Sequence, residues 1–168
     1  MTALSGPVVR LGDDVNTDVM LPGKYLNLSA PEDLAPHLLE TYDAGVAERV
    51  VPGTILVAGR NFGMGSSREH APIAMIARGV QVVVAVDFAR IFYRNCVNLG
   101  LPAIAHPEAA TMIADGATVA VDLSAGTIES DGTTWSIPPA PPFLAELLAA
   151  GGLVEWTRRR LAAAAERS

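Results

Sequence analysis

The stretch APIAMIARGVQVVVAVDFARIFYRNCVNLGLPAIA, residues 71–105, alternates helical patterns with apolar runs of strand length. Each helical pattern ends at a glycine, Gly79 or Gly100, which is the usual stop signal of a helix. Helices between apolar strands predict right-handed crossover connections and a parallel sheet segment. The predicted helices and strands occupy, in order, residues 71–78, 80–86, 88–99 and 101–105.

The flanking sequence adds β-structure on both sides of this segment. Upstream, apolar strands are predicted at residues 8–11 and 54–58, with an acidic turn-forming loop at 12–18 and short helical turns at 31–43. Downstream, a short helix is predicted at 107–114, strands at 118–122, 127–130 and 134–137, and helices at 143–149 and 153–165. The expected fold is α/β, a mixed sheet with flanking helices. Residues 1–168 form one predicted domain, whose last part, 116–168, is a β-meander followed by helices.

The junction between the strand at 54–58 and the helix at 71–78 carries the sequence Asn61-Phe62-Gly63-Met64-Gly65-Ser66-Ser67-Arg68-Glu69-His70. Such a junction presents backbone N–H groups, the positive end of a helix dipole and a guanidinium to one anion. It also places a serine where developing negative charge would be stabilised. The segment therefore predicts a loop that binds an acid and handles protons.

A structural alternative stays open at this point. Ser66 and Glu69 have the spacing of a capping box, in which both side chains only satisfy free N–H groups of a helix. Pro72 argues against this, because a helix capped at Ser66 would hold the proline well inside, where it lacks a needed N–H. The helix is expected to start near Glu69 or His70 and to leave Ser66 on the loop.

Composition and charge narrow the class of protein. Half of the 168 residues are hydrophobic, as in a globular chain, and the net charge of −6 argues against nucleic acid or an anionic membrane as partner. No apolar run reaches the length of a membrane span and no signal pattern opens the sequence, so a cytoplasmic location is expected. Cys96 is the only cysteine, which predicts a buried structural thiol and excludes a multi-cysteine metal site within this chain.

Three segments together resemble the small subunit of the aconitase family of hydro-lyases. They match in order and span most of residues 6–105, and the second is the most specific. The segments are 12–18 (GDDVNTD) with 21–26 (LPGKYL), 59–72 (GRNFGMGSSREHAP), and 88–95 (FARIFYRN) with 98–102 (NLGLP).

The resemblance implies a swivelling β/β/α domain that closes over a site on a separate large subunit. These enzymes isomerise a hydroxy acid by dehydration and rehydration, and the large subunit supplies a [4Fe–4S] cluster that binds the hydroxyl and a carboxylate. One cysteine cannot hold a cluster that needs several thiolates, so no metal or cofactor is expected on this chain. The expected partners are a large subunit and a small hydroxy-acid substrate.

The resemblance also implies roles for the loop residues. Ser66 matches the base that removes the proton α to a carboxylate, and Ser67 and Arg68 match the residues that bind a substrate carboxylate. Asp18 matches an aspartate that orients a histidine of the large subunit, whereas without the resemblance it would be interpreted as an Asx-turn residue. Structural or less certain supporting roles are expected for Asn16, Thr17, Gly63, Gly65, Glu69 and His70.

The segment Tyr25-Leu26-Asn27-Leu28 resembles the loop that contacts the variable group of the substrate. Relatives that accept a third carboxylate tend to carry arginine just after Tyr-Leu, where this chain has Asn27 and Leu28. An uncharged loop suits an alkyl group, because a charge facing that group would lose solvation without a partner. The resemblance is thus strongest to the isopropylmalate dehydratases, with homoaconitases and other alkylmalate dehydratases as alternatives.

A different class of function remains as a competing hypothesis. The loop could bind carboxylates without chemistry, in a regulatory domain, although Ser66, Arg68 and Asp18 together favour an enzyme subunit. His37 and His106 flank no motif and are expected to be ordinary surface or loop histidines. The exact substrate, the stoichiometry of the assembly and self-association of the isolated chain, as a homo-oligomer, are left open by the sequence.

Overall fold

Seven strands form one mixed sheet in the computed structural model, which describes residues 3–165. They are β1 (Leu4–Arg10), β2 (Ile55–Ala58), β3 (Val82–Ala85), β4 (Ala103–Ala105), β5 (Thr118–Asp122), β6 (Thr127–Ser130) and β7 (Thr133–Ser136). Their spatial order is β4-β3-β2-β1-β5-β6-β7. Strands β1 to β4 pair in parallel, and β1 pairs antiparallel with β5, which opens the meander β5-β6-β7. The predicted α/β class with a mixed sheet is confirmed.

Eight α-helices flank or extend the sheet in the described part of the chain. They are α1 (Thr17–Met20), α2 (Pro31–Leu34), α3 (Ala44–Arg49), α4 (His70–Ala77), α5 (Arg90–Leu99), α6 (Pro107–Met112), α7 (Pro142–Ala150) and α8 (Leu153–Ala165). Short 3₁₀ turns occupy Gly23–Tyr25 and Ala35–His37. No helix within residues 3–165 combines the length and apolar character needed to cross a membrane.

The sheet separates two apolar clusters because neighbouring side chains of a strand point to opposite faces. Leu56 and Ala58 of β2 join the cluster that α2, α4 and α5 cover, whereas Ile55 and Val57 join the cluster covered by α6. All four side chains of β2 are fully buried, as in a parallel sheet with helices on both faces. The carboxyl ends of β1 and β2 thus have a fixed position next to each other.

Helix α4 begins where the sequence predicted. Its first residue is His70, and Pro72 lies in the first turn, where the missing N–H has no intrahelical partner to lose. Helix α5 ends at Gly100, which adopts the left-handed conformation with φ +82°. The predicted bounds of most other elements are correct to within two residues, but strand β1 starts four residues earlier than expected.

The first half of β1 was missed because it contains Gly6 and Pro7, which are typical of turns. Both fit here for structural reasons. A Cβ at Gly6 would lie 1.9 Å from the carbonyl oxygen of Gly53, so only glycine allows this close approach. Residues 4–7 pair with β5, at the point where the sheet changes from parallel to antiparallel.

Helices α1 and α3 were also missed, because each is too short for a periodic pattern. Asp43 caps α3 by accepting a hydrogen bond from Val46 N–H. At the other end, the guanidinium of Arg78 donates to the carbonyl oxygens of Ala47 and Val50, so α3 depends on a residue far along the chain. Residues 1–2 and 166–168, the ends of the predicted domain, lie outside the described residues.

Candidate functional site

Two loops meet at the carboxyl edge of the parallel strands, where ligands commonly bind in open α/β sheets. The loop after β1 and the loop after β2 exchange backbone hydrogen bonds along their length. In order, Gly59 N–H donates to Gly12 O (3.0 Å), Asp14 N–H to Arg60 O (2.8 Å), Gly63 N–H to Val15 O (2.9 Å) and Thr17 N–H to Met64 O (2.9 Å). The two loops therefore behave as one unit, which we call the paired loops (residues 11–18 and 59–66).

Side chains reinforce the paired loops. Arg60 forms an ion pair with Asp13 (2.8 Å), and Asn61 donates from its amide nitrogen to Asp14 (3.0 Å). Hydrogen bonds from Arg60 hold the pKa of the Asp13 carboxyl below its usual value. Both side chains are exposed enough for water to weaken the ion pair, so it contributes mainly to the geometry.

Thr17 joins the two predicted catalytic residues. Its buried hydroxyl accepts a hydrogen bond from Ser66 N–H at 2.9 Å, and its neighbour in the chain is Asp18. Asn16 caps α1 by accepting from Val19 N–H at 2.8 Å. Asn16, rather than Asp18, therefore makes the Asx-type capping hydrogen bond, and the Asx interpretation of Asp18 is wrong.

The glycines of the loop are required by its packing. Gly63 has φ +83°, and a Cβ there would lie 2.1 Å from Cγ of Phe92 on α5. Gly65 has φ +108°, and a Cβ there would lie 3.0 Å from the Thr17 hydroxyl. Both positions combine a left-handed backbone with a close neighbour, so each supports the loop as the sequence predicted.

Helix α5 holds the other side of the loop, which explains why the third segment of the motif accompanies the second. Asn95 donates from its side-chain amide to the carbonyl oxygen of Ser67 at 2.9 Å. Phe62 packs edge-on against Phe92, with ring centroids 5.4 Å apart, and its carbonyl accepts from Ala89 N–H. Asn95 was not among the predicted site residues, although the segment containing it was part of the resemblance.

Ser66 lies on the loop and not inside a helix. Its hydroxyl oxygen accepts a hydrogen bond from Arg68 N–H at 3.2 Å, and α4 starts only after Glu69, whose side chain makes no capping hydrogen bond. The capping-box alternative for Ser66 and Glu69 is therefore wrong. A structural role in the first turn of α4 was expected for Glu69, but the residue lies just before that turn.

A small cleft collects several of the predicted site residues. It is lined by Thr17, Asp18, Leu21, Leu26, Ser66, Arg68, His70 and Ala71. Its enclosed volume is about 10 Å³, roughly the space for one water molecule. A hydroxy acid cannot be enclosed here by this chain alone, so a second surface must complete any substrate pocket.

The polar groups at the cleft leave side-chain atoms free for a ligand. Asp18 and Arg68 are exposed, and Arg68 has no ion-pair partner among the described residues. Nδ1 of His70 is buried without a hydrogen-bond partner within residues 3–165. This atom is the one buried polar group of the cleft that lacks a partner. His70 is therefore a candidate for contact with a ligand, beyond the structural role that was expected.

The predicted substrate-contacting loop is only partly in the cleft. Leu26 lines it, whereas Tyr25 and Leu28 pack against the core and Asn27 is exposed. The ring of Tyr25 stacks on His37, with centroids 3.6 Å apart and planes 11° from parallel. The sequence predicted an ordinary surface or loop histidine at position 37. His37 is partly exposed, but its ring also packs on a residue of a separate segment.

His106 also has a structural task. It caps α6, where its Nδ1 accepts a hydrogen bond from Ala109 N–H at 3.1 Å. The ring lies far from the cleft in the chain topology, at the end of β4, and this agrees with the expectation that His106 is outside the site.

The residues of this chain do not suit an iron–sulfur cluster. Cys96 is fully buried in α5, where burial raises the pKa of its thiol to about 12, and one buried thiol cannot supply the several thiolates that a cluster needs. The described residues contain no group of three or more His, Cys, Asp or Glu side chains placed to hold a metal ion. The prediction that Cys96 is a buried structural thiol is confirmed.

Comparison with known proteins agrees with the geometry of the loops. Residues 16–109 match the model of the aconitase C-terminal domain family. The 3-isopropylmalate dehydratase small subunit of Thermodesulfovibrio yellowstonii is 47% identical over 94% of this chain and 95% of its own length. The 2,3-dimethylmalate dehydratase small subunit of Eubacterium barkeri is 48% identical over 90% of this chain and 94% of its own length.

A solved structure extends the similarity to the whole fold. The crystal structure of 3-isopropylmalate dehydratase from Methanocaldococcus jannaschii superposes with a TM-score of 0.91 at 38% identity, over 99% of this chain and 100% of that chain. The match includes the meander and the terminal helices, which lie beyond residues 16–109. With its site loops, sequence and fold all in agreement, this chain belongs to the aconitase C-terminal domain family.

Proposed function

We propose that this chain is the small subunit of a heteromeric hydro-lyase, 3-isopropylmalate dehydratase, that isomerises its substrate by dehydration and rehydration. The observation that carries the proposal is the cleft at the paired loops, where Ser66, Arg68 and Asp18 come together on a rigid support. The similarity to small subunits over nearly the full chain supports the same conclusion.

Ser66 is the proposed base. Removing a proton α to a carboxylate leaves negative charge on the substrate oxygens, and the serine must first carry that charge itself. A serine hydroxyl is too weak an acid to ionise unaided, so it needs donors aimed at its oxygen. Arg68 N–H already donates to this oxygen at 3.2 Å, and the start of α4 lies immediately beyond.

Substrate binding falls to Arg68 and Ser67 in this proposal. The unpaired guanidinium of Arg68 can form a two-donor pair with a carboxylate, and the exposed hydroxyl of Ser67 lies next to it in the chain. Asp18 lines the cleft and is exposed, and we propose that its carboxylate contacts a side chain of the partner subunit. These roles come from the resemblance; the position of Arg68 and Asp18 at one cleft supports theirs, whereas Ser67 does not line the cleft.

The large subunit is the proposed second half of the active site. The enclosed volume at the cleft is too small for the substrate, and the single buried thiol cannot serve a cluster, so both the remaining wall and the [4Fe–4S] group are assigned to the partner. A cytoplasmic location and a single domain over residues 1–168 remain predictions of the same proposal.

The substrate is proposed to carry an alkyl group, and isopropylmalate is the first choice. A second candidate is 2,3-dimethylmalate, because the small subunit from Eubacterium barkeri is as similar to this chain as the isopropylmalate enzymes are. Both choices agree with the uncharged Asn27 and Leu28. Homocitrate is disfavoured, because its third carboxylate would find no cation in this loop.

The test is reconstitution with the cognate large subunit. We expect the pair, with its cluster intact, to interconvert the isopropylmalate isomers, and a higher kcat/KM on dimethylmalate would move the assignment to the second candidate. A pair that binds these acids but turns none of them over would favour the non-catalytic, regulatory hypothesis. An unrelated large subunit serves as control for activity that does not depend on the match.

A further inference from the structure

Three side chains in or beside the predicted substrate-contacting loop converge on the carboxylate of Glu40. The hydroxyl of Tyr25 donates to Oε2 of Glu40 at 3.2 Å, Nδ1 of His37 lies 2.9 Å from the same oxygen, and Nζ of Lys24 lies 3.2 Å from Oε1. Because an ionised carboxylate only accepts, Nδ1 of His37 carries the hydrogen in this contact. We call these four residues the Glu40 cluster.

Ring contacts hold the same residues together. Tyr25 stacks on His37, as described above, and Nζ of Lys24 lies 4.7 Å from the centroid of the Tyr25 ring. Hydrogen bonds from His37, and then from Tyr25 and Lys24, keep the pKa of Glu40 below its usual value although partial burial opposes this. Glu40 therefore ionises more readily than a free glutamate. Its Oε2 contacts Tyr25 and His37, and its Oε1 contacts Lys24.

The Glu40 cluster joins two segments that are separate in sequence. Lys24 and Tyr25 lie in the 3₁₀ turn Gly23–Tyr25, while His37 and Glu40 follow α2. Between them the chain carries Leu26, which lines the cleft beside Ser66. Since Leu26 follows Tyr25 directly and Leu28 N–H donates to Tyr25 O at 3.0 Å, any shift of Tyr25 moves this part of the loop.

We propose that Glu40 is a positioning residue for substrate selection: by holding Tyr25 between its carboxylate and the ring of His37, it sets where Leu26 and Asn27 stand against the variable group of the substrate. This inference rests on the proposed function. Glu40 touches neither the cleft nor Ser66, so its effect runs through Tyr25. Within residues 3–165, the hydrogen bond from Tyr25 to Glu40 is the polar contact that ties this loop to a distant segment, and it acts together with the packing of Tyr25 and Leu28 against the core.

The test compares two substrates in the reconstituted enzyme. Glu40→Ala should raise KM for isopropylmalate by about tenfold, the size expected when one or two hydrogen bonds stop holding a site, and leave kcat within about twofold. It should also lower the preference for isopropylmalate over the smaller methylmalate, because a loosened loop no longer packs against the larger alkyl group. Glu40→Gln, which keeps an acceptor for Tyr25 but loses the charge facing Lys24, should restore most of the preference.

A matched control and a second variant make the result specific. Glu48→Ala removes the same charge from the exposed surface of α3 and should change neither KM nor the preference. Tyr25→Phe removes only the hydroxyl and should act in the same direction as Glu40→Ala. It tests the proposal even if Glu40→Ala folds poorly. NMR of the full chain should show the ring signals of His37 leaving their stacked positions in Glu40→Ala.

Three outcomes would overturn the proposal in different ways. If wild type is active and Glu40→Ala loses the stacking signals while the preference stays unchanged, Glu40 does not position the selecting loop, and the proposed function stands. A kcat that falls with an unchanged KM would equally contradict it. If reconstituted wild type has no activity on any hydroxy acid, the proposed function fails and the inference fails with it.

Discussion

At the scale of single residues, the candidate site depends on the donors and acceptors of two hydrogen bonds at Ser66. Its N–H donates to Thr17, and its hydroxyl oxygen accepts from Arg68 N–H. One hydrogen bond thus holds the backbone of Ser66 and the other its hydroxyl before any substrate arrives. Such preorganisation is what a group that carries developing charge needs, because no donor has to move during the reaction.

Replacing Ser66 with alanine tests its role most directly. We expect kcat of the reconstituted enzyme to fall by about 10²–10⁴-fold, the usual contribution of a positioned acid or base. KM should change little, since carboxylate binding is assigned to Arg68 and Ser67. Ser5→Ala, an exposed serine on β1, is the control and should be neutral. Turnover near that of wild type in Ser66→Ala would contradict the base assignment.

At the scale of elements, the site is built from two parallel strands whose loops hydrogen-bond to each other and from a helix that packs beneath them. Phe92 of α5 occupies the space that a side chain at position 63 would need. The loop and α5 are therefore fitted to each other, and the fit requires glycine.

The substitution Gly63→Ala measures this fit. The new Cβ meets Phe92 at 2.1 Å and the backbone has φ +83°, so we expect a loss of about 2–5 kcal/mol in the free energy of unfolding, from strain plus overpacking. Gly116→Ala is a matched control, because Gly116 has φ +78° but open space around it. Urea unfolding of both variants separates backbone strain from the clash. Equal losses would show that contact with Phe92 does not matter.

The loop of residues 25–28 is the element to which we assign substrate preference. Asn27→Arg should lower kcat/KM for isopropylmalate and raise it for homocitrate, because a carboxylate would gain a charge-assisted hydrogen bond. An alkyl group would instead leave the new guanidinium without a partner. Leu28→Arg tests the neighbouring register, and Ser29→Arg supplies the same charge just beyond the loop. A ratio that stays constant in both loop variants would remove selection from this segment.

Local signals in the sequence were sufficient to predict where the helices and strands around the site begin and end. They were insufficient to predict contacts between residues that are distant in the sequence. Pro72 placed the start of α4 because a proline restricts its own turn, and Gly100 ended α5 for an equally local reason. The Tyr25–His37 stack and the Asn95–Ser67 hydrogen bond could not be predicted, because each joins segments brought together only by folding. The roles of Ser66, Arg68 and Asp18 came from the resemblance, and the structure adds that one cleft contains all three.

At the scale of the whole molecule, the candidate site is an open edge and not an enclosed pocket. A larger cavity of about 310 Å³ lies elsewhere, between α5, β4, α7 and the proline-rich segment 138–141, and its lining is mostly apolar. Tyr93 is the only polar side chain in its lining, and no charged side chain there could bind a carboxylate. The candidate site therefore remains the surface at the paired loops, which we propose that a partner subunit covers.

The isolated chain should therefore be colourless and inactive while remaining folded. Its core consists of two apolar clusters on the faces of one sheet, so no metal is needed for stability. The measurement is visible absorbance and iron content of the pure chain, together with circular dichroism to verify folding. Brown colour with stoichiometric iron in the folded chain would contradict the assignment of the cluster to the large subunit.

The place of β1 in the sheet has a consequence for how the molecule is made. Strand β1 lies in the middle of the sheet, between β2 and β5, and its residues 4–7 pair only with β5. That half of β1 stays unpaired until β5 has been synthesised, after the three parallel connections that lead from β1 to β4. Contacts between such distant segments slow folding. A nascent chain that stalls before β5 exposes the open edge of a strand, which is a template for aggregation. Synthesis of the meander thus covers the exposed edge of β1 and lowers the risk of aggregation.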